Sequence, residues 1–270
     1  MRASNDAVSD HNRLAAQMWG TGGKAYDDIS FAISDALAHA AQRLNARGGE
    51  EILDVATGTG WSARNVARRG ARVTAVDISV ELLTAAEGLS AHIQPPIAFQ
   101  LADAERLPFA DARFDGVIST FGVMFAPDQK QAAAELGRVC RKGGRLALAT
   151  WMPGGAVGKF FAVIARYGDA PSPPASPIAW GDPGHVEALL GRDFELKFEH
   201  GVSNAYHDNT QDIWEWYARG FGPVRHLISV LNPDRLQAFR NDVDAYHNSY
   251  ATEVGLHLKR EYLVTIGKRR

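Results

Sequence analysis

Ile52-Leu53-Asp54-Val55-Ala56-Thr57-Gly58-Thr59-Gly60-Trp61-Ser62-Ala63 is the stretch on which the reading of the whole chain turns. Its first five residues are too short and too apolar for a surface helix and predict a buried strand over 52–56. Two closely spaced glycines predict a tight turn, followed by a helix over 61–69 that Gly70 ends. Strand, turn and helix in this order fit G-x-G-x-x-G/A, where glycines let a ligand approach the backbone. Asp54 stands inside the apolar run, and a charge buried there needs a partner. Residues 72–77, rich in β-branched side chains, predict a second strand ending in Asp77, 19 residues after Gly58.

The same rhythm extends outward. A helix over 80–89, a strand over 97–101, a strand over 114–120, a helix over 129–140 broken by Gly143-Gly144, and a strand over 145–151 follow in turn. Upstream, Ile29, Ile33, Leu37, Ala40, Ala41 and Leu44 form one stripe of a helix over 28–44, which Gly48-Gly49 stops. Such alternation means right-handed crossovers and a parallel sheet with helices on both faces, so 50–151 reads as a doubly wound α/β unit. Beyond Trp151 the pattern changes. Four prolines over 171–177 predict an extended surface loop. Strict alternation predicts a strand over 194–200, helices cover 211–220 and 233–250, and a last strand covers 261–266.

Composition narrows the class. The 270 residues carry 29 basic and 31 acidic side chains, a formal charge of −2, so no global field steers the chain to nucleic acid. A lone cysteine, Cys140, forbids an internal disulfide and a cysteine-based zinc cage, and no metal is expected. The first ten residues lack the apolar run of a signal peptide, and no stretch approaches the roughly 18 apolar residues of a membrane span. A cytoplasmic protein without a membrane span is the expectation.

Asp77 is placed to accept from both hydroxyls of a ribose, which supports a ribose-containing cofactor without separating NAD from others. A tight turn beside a solvated Asp would show the same spacing. Asp54 discriminates: it would repel a pyrophosphate but welcome a ligand carrying an ammonium and a sulfonium. Asp103, ending the third strand, could accept from an exocyclic amine.

At 52–60, Val76-Asp77-Ile78-Ser79, Asp103-Ala104-Glu105-Arg106-Leu107-Pro108-Phe109, Phe114-Asp115-Gly116-Val117 and Arg141-Lys142-Gly143-Gly144-Arg145, the chain resembles the class I S-adenosylmethionine-dependent methyltransferases. The similarity is to the branch containing ubiquinone and menaquinone biosynthesis methyltransferases. The resemblance implies a seven-stranded sheet ordered 3-2-1-4-5-7-6 with its last strand antiparallel, N-terminal helices and an inserted helical lid. One domain over 1–270 is implied: an N-terminal flap (1–49), a cofactor core (50–151), and the lid with the completing strands (152–270). S-adenosyl-L-methionine is the implied cofactor. Asp54, Ala56, Gly58, Thr59 and Gly60 would hold its methionine end, lined also by Ser119 and Thr120. Asp77 would bind the ribose, Ile78 pack on adenine, and Asp103 and the Ala104 N–H meet the adenine edge. Tyr26, in a segment resembling the family's N-terminal fold-over, could lie near the methyl group; an aromatic packing the N-terminal helices would read the same.

The implied reaction is in-line methyl transfer to a small-molecule acceptor. Phe121, Met124 and Trp151 are the candidates to line the acceptor, with Trp180, Trp214, Trp216, Tyr217 and Phe221 as further aromatic wall or plain core. Arg219 and Arg225 could pair with an acceptor anion. His200, His207 and His226 are available as bases, and no catalytic residue is singled out. The competing classes are a non-catalytic S-adenosylmethionine-binding protein and an NAD-dependent oxidoreductase. A nucleic-acid methyltransferase is not expected, since Ser119-Thr120-Phe121-Gly122 stands where an Asn-Pro-Pro-Tyr-type motif would. The acceptor, the methylated atom and the oligomeric state are left open.

Overall fold

The computed structural model describes residues 7–168 and 175–270. Helices α1 (Arg13–Gly20), α2 (Tyr26–Phe31) and α3 (Ser34–Leu44) precede the sheet. Then follow β1 (Glu51–Val55), α4 (Trp61–Ala67), β2 (Arg72–Asp77), α5 (Val80–Ser90), β3 (Ala98–Leu101), β4 (Phe114–Thr120), α6 (Gln129–Val139) and β5 (Cys140–Trp151). The remainder is α7 (Ala156–Ala165), α8 (Pro183–Leu190), β6 (Phe194–His207), α9 (Thr210–Gly220), α10 (Gly222–Val230), α11 (Pro233–Asn248), the two-residue β7 (Ala251–Thr252) and β8 (Gly255–Arg269).

The strands run in the order β3-β2-β1-β4-β5-β8-β6. β1 pairs in parallel with β2 and β4, while β8 runs antiparallel between β5 and β6. This is the expected 3-2-1-4-5-7-6 path, with β8 as the seventh position because the short β7 adds a hairpin to its start. Ile52, Leu53, Val117, Ile118, Leu146 and Leu148 are fully buried, so the central strands are covered on both faces. From β1 the chain steps one way to β2 and β3, then restarts on the other side at β4. Right-handed crossovers therefore put α4 and α5 on one face and α6 on the other. A crevice opens outside the carboxyl ends of β1 and β4, where the strand order reverses.

Several elements depart from the sequence expectation. The helix foreseen over 28–44 is two helices, broken at Ile33 (φ −122°, ψ 21°). The Ala32 carbonyl freed by the break accepts from Arg260 Nη2 at 2.5 Å. α3 stops before the paired glycines, because Asn45 already adopts the left-handed conformation (φ 51°) that closes a helix. Gly143 and Gly144 belong to β5: the register skips between Phe114↔Cys140 and Gly116↔Arg145, leaving a bulge with Gly143 at φ 74°. Part of the foreseen proline loop, 171–174, lies outside the described residues. Its last proline opens a 3₁₀ turn, Pro177–Gly181, that buries Trp180 completely.

β6 and β8 are much longer than foreseen and pair along their length from Phe194↔Arg269 to His207↔Leu256. β5 leaves β8 at Trp151↔Tyr262, so the β6–β8 pair continues beyond the sheet as a two-stranded ribbon. Helices α9 to α11 are inserted at its far end and pack with α7 around Phe160, Val224, Phe239 and Val243. Among the described residues, no helix is long and apolar enough to cross a membrane.

Candidate functional site

The two loops at the reversal point are in unusually close contact. A Cβ on Gly122, after β4, would lie 2.4 Å from the Ala56 Cβ and 2.8 Å from the Ala56 carbonyl oxygen, after β1. Only glycine fits there. Both loops also hold a non-glycine residue in the left-handed region, Ala56 (φ 55°) and Phe121 (φ 56°), conformations that persist only when the surroundings impose them. Gly58 (φ 58°) and Gly60 (φ 87°) complete the turn into α4.

Three acids gather at this end of the sheet. Asp54 is fully buried; its Oδ2 accepts from the Thr57 hydroxyl at 2.6 Å, and its Oδ1 has no hydrogen-bond partner. Burial pushes its carboxyl up to about 7, with the Thr57 hydroxyl and the Ala63 amide opposing and the Asp77 charge adding. Asp77 accepts from the Gly58 amide at 2.8 Å and the Ser79 amide at 3.0 Å, binding the glycine turn to the end of β2. Burial raises it to about 6 against those amides. Asp103 differs. Burial would raise it, but the Asn12 side chain (2.9 Å) and the amides of Glu105 (3.0 Å) and Ser9 (3.0 Å) together hold it below its ordinary value.

The N-terminal helices roof the crevice. Tyr26 lies over the glycine turn, its Cε1 3.4 Å from where a Gly58 Cβ would be. Burial, with the Asp77 charge adding, pushes its phenol up. Arg64 of α4 fastens roof to floor: buried itself, it donates to the Thr59 carbonyl at 2.6 Å and to Asp27 of α2 at 3.1 Å. The cavity so enclosed, about 950 Å³ measured out to its mouth, is lined by Tyr26, Ala56, Gly58, Asp77, Ile78, Asp103, Ala104, Thr120 and Phe121 among the residues expected from sequence. Among the described residues, no Lys, Arg or His lines it.

Other expected residues are not brought to its wall. Asp54 at the end of β1 and Thr59 and Gly60 of the turn itself are absent from the lining, all three buried. Ser119 is fully buried, its hydroxyl donating to the Val55 carbonyl (2.7 Å) and accepting from the Val123 amide (3.1 Å). Alternation along β4 turns Thr120 to the cavity, where it meets the Ser62 hydroxyl at 2.7 Å, and Ser119 away. Met124 is core, fully buried and outside the lining. Sequence reasoning missed Asn12, Thr57, Trp61 and Ser62, which also line the cavity. Thr57 and Ser62 lay within the quoted stretch; Asn12 left no signal.

A second, aromatic chamber of about 680 Å³ adjoins the first and shares Trp19, Tyr26, Ile33, Phe121 and Phe125 with it. Phe121 stacks on Trp151 at 3.9 Å, and Trp216, Tyr217 and Phe221 complete much of the wall. Trp180 and Trp214 pack elsewhere. Arg225 is turned to the Ala218 and Arg219 carbonyls, and none of His200, His207, His226 or Arg219 lines either space.

An acidic cavity at the reversal point of a 3-2-1-4-5-7-6 sheet agrees with comparison to known proteins. A family model described as "Methyltransferase domain" matches residues 53–148. An uncharacterized protein of Mycobacterium tuberculosis is 36% identical over 197 residues, 72% of this chain and 72% of its own. The demethylmenaquinone methyltransferase of Thermobifida fusca is 42% identical over 106 residues, 39% of this chain and 45% of that one. The chain belongs to the class I S-adenosylmethionine-dependent methyltransferases.

The cofactor of this methyltransferase is S-adenosylmethionine. The YcgJ protein from Bacillus subtilis has the same fold as this methyltransferase, with a TM-score of 0.64 at 18% identity over 87% of this chain and 98% of that one. The donor set suits the cofactor's chemistry. A cationic ligand gains from Asp77 and Asp103 on the cavity wall and from Asp54 buried behind it, with no Lys, Arg or His in the lining among the described residues.

Proposed function

We propose that the chain transfers the S-adenosylmethionine methyl group to a small, flat, largely apolar acceptor seated in the aromatic chamber. The observation that carries this is the shared wall: Tyr26, Phe121 and Phe125 line both the acidic cavity and the aromatic chamber. A protein that only bound the cofactor would have no use for a second space against the same wall. In this reading Asp54 and the glycine turn hold the amino-acid end, Asp77 the ribose, and Asp103 with Ala104 the adenine edge, with Ile78 against the ring. Thr120 lines the methionine end, and Trp151 supports Phe121 in the acceptor wall. The whole of 1–270 acts as one domain, with 1–49 as roof and 152–270 as lid.

When bound, the cofactor supplies a methyl activated by its sulfonium, and the neutral thioether is the leaving group. The chain supplies alignment and the exclusion of water, which suffice for much of the acceleration of such a displacement. Tyr26 and Phe121 set the angle between the two spaces. Asp54 and Asp77, raised to about 7 and about 6, would give up their protons on binding, Asp54 as it meets the ammonium's charge and Asp77 as it accepts from the ribose hydroxyls. The demethylmenaquinone methyltransferase relatives support a small-molecule acceptor.

The test is incubation of purified protein with methyl-deuterated S-adenosylmethionine and a fractionated small-molecule extract, read by mass spectrometry. A labelled methyl in an apolar metabolite, absent with Asp77→Ala, is expected. Tight S-adenosylmethionine binding with no labelled product in any fraction would point to binding without transfer.

A further inference from the structure

Arg260 is a buried cation that the chain does not neutralise. It is 8% exposed and lines the aromatic chamber, but not the acidic cavity. All its hydrogen bonds go to neutral oxygens. Nε donates to the Ser203 carbonyl at 3.3 Å; Nη2 serves the Ala32 carbonyl at 2.5 Å and the Ser203 hydroxyl at 3.0 Å, with the Asn204 carbonyl at 3.4 Å. Nη1 makes no hydrogen bond, and Arg260 forms no ion pair, among the described residues. Its nearest opposing charge, Asp35, is one hydroxyl removed, accepting from Ser203 Oγ at 2.8 Å and from the Ala36 amide at 2.8 Å. Burial lowers the guanidinium pKa, with Tyr217 and Asp35 opposing. A guanidinium stays charged near neutral pH, so the site holds a desolvated positive charge with an unused donor.

Two of its three nitrogens have a structural duty: they hold the broken end of α2 and the start of the β6–β8 ribbon. The third is left over, and Arg260 shares the chamber's lining with Phe160, Trp216, Tyr217 and Leu258 among other apolar and aromatic side chains. Tyr217 adds one more polar group, its hydroxyl only 3.5 Å from His247 Nε2. An apolar chamber with one fixed cation selects a hydrophobic molecule bearing one anionic group, because guanidinium and carboxylate pair strongly out of water.

We propose that Arg260 is the acceptor anchor of this methyltransferase and that the acceptor is a flat hydrophobic carboxylic acid, bound as its anion with the carboxylate on Nη1. The proposal rests on the aromatic chamber being the acceptor site. Since Arg260 does not border the cofactor cavity, the carboxylate fixes the molecule's far end and the methylated atom is at the other. Arg260 is a specificity-determining residue in this arrangement, apart from the methyl transfer itself.

Calorimetric titration of the full chain, saturated with S-adenosylhomocysteine, compares 1-naphthoate with 1-naphthamide and indole-3-acetate with indole-3-acetamide. Each acid is expected to bind at least about tenfold more tightly than its amide. Arg260→Met should abolish that preference while leaving S-adenosylhomocysteine affinity within about twofold, and Arg260→Lys should keep part of it. Acids and amides binding alike, neither acid binding at all, or a preference that survives Arg260→Met would each overturn the proposal. If Arg260→Met does not fold, a crystal structure of the unmutated chain with naphthoate decides, the carboxylate lying either on Nη1 or away from it. Failure of the unmutated chain to bind S-adenosylhomocysteine would instead count against the cofactor reading.

Discussion

Cofactor binding to this chain should expel protons, and the number can be worked from two carboxyls. Asp54 and Asp77 are held at about 7 and about 6 because burial disfavours their charged forms. An Asp in an unfolded chain titrates near about 3.9. Between that value and the folded ones the folded state therefore binds more protons. The stabilisation this gives is fully present below about pH 4 and is lost as pH rises through 6 and 7. A ligand bringing an ammonium and a sulfonium reverses the preference by favouring both anions. At pH 6.5, about three quarters of Asp54 and about one quarter of Asp77 would carry a proton before binding, so roughly one proton should leave per S-adenosylmethionine bound. Affinity should weaken by several hundredfold between about pH 7.5 and pH 5. Calorimetry at pH 6.5 in buffers of different ionisation enthalpy measures the release directly. Adenosine, which offers only ribose and base, should release about the Asp77 share alone. A release near zero, with an affinity flat across the acid range, would refute the assignment of the two acids to the cofactor.

Three further outcomes are expected. Asp77→Ala removes two charge-assisted acceptors for the ribose, worth roughly 1.5–3 kcal/mol each, and should weaken S-adenosylmethionine binding by about 10²–10⁴-fold in equilibrium titration. Gly122→Ala drives a methyl into the Ala56 backbone and should cost about 2 kcal/mol or more in urea unfolding, with a larger fractional loss of cofactor binding. Asp103→Ala strips Ser9 and Asn12 of their shared acceptor, so amide exchange over 9–20 should speed up while cofactor affinity falls about tenfold or more.

The half of the fold that was legible in the sequence is the half buried on both sides. β2 and β4 match their foreseen limits because short runs rich in apolar and β-branched residues, Val73–Val76 and Val117–Thr120, mark them. β6 and β8 were visible only in part. Their ribbon ends alternate in burial, with Ala205, Leu256 and Leu258 inward and Asn204 and Lys259 outward, but Ser203 and Arg260 occupy inward positions and interrupt the apolar pattern. α7, α8 and α10 went unforeseen: α10 opens with Gly222-Pro223, which in sequence reads as a stop. In the site, Asp77 and the glycine turn were legible because a backbone constraint fixes their spacing. Asn12 and Arg260 were not, because long-range folding alone brings them to the cavity walls. Ser119 misled because a strand shows its neighbour to the opposite side.

The ribbon formed by β6 and β8 separates two kinds of inheritance. From Glu261 back to Leu256 it runs about 20 Å past the point where β5 lets go, a cantilever rooted in the sheet and loaded with α9 to α11 at its tip. A change of length or twist in that arm would reshape the aromatic chamber while leaving Asp54, Asp77 and the glycine turn undisturbed. A lineage keeping one cofactor could thus exchange acceptors by altering the arm alone. Arg260, set at its root, is the point at which such changes would meet the sheet itself.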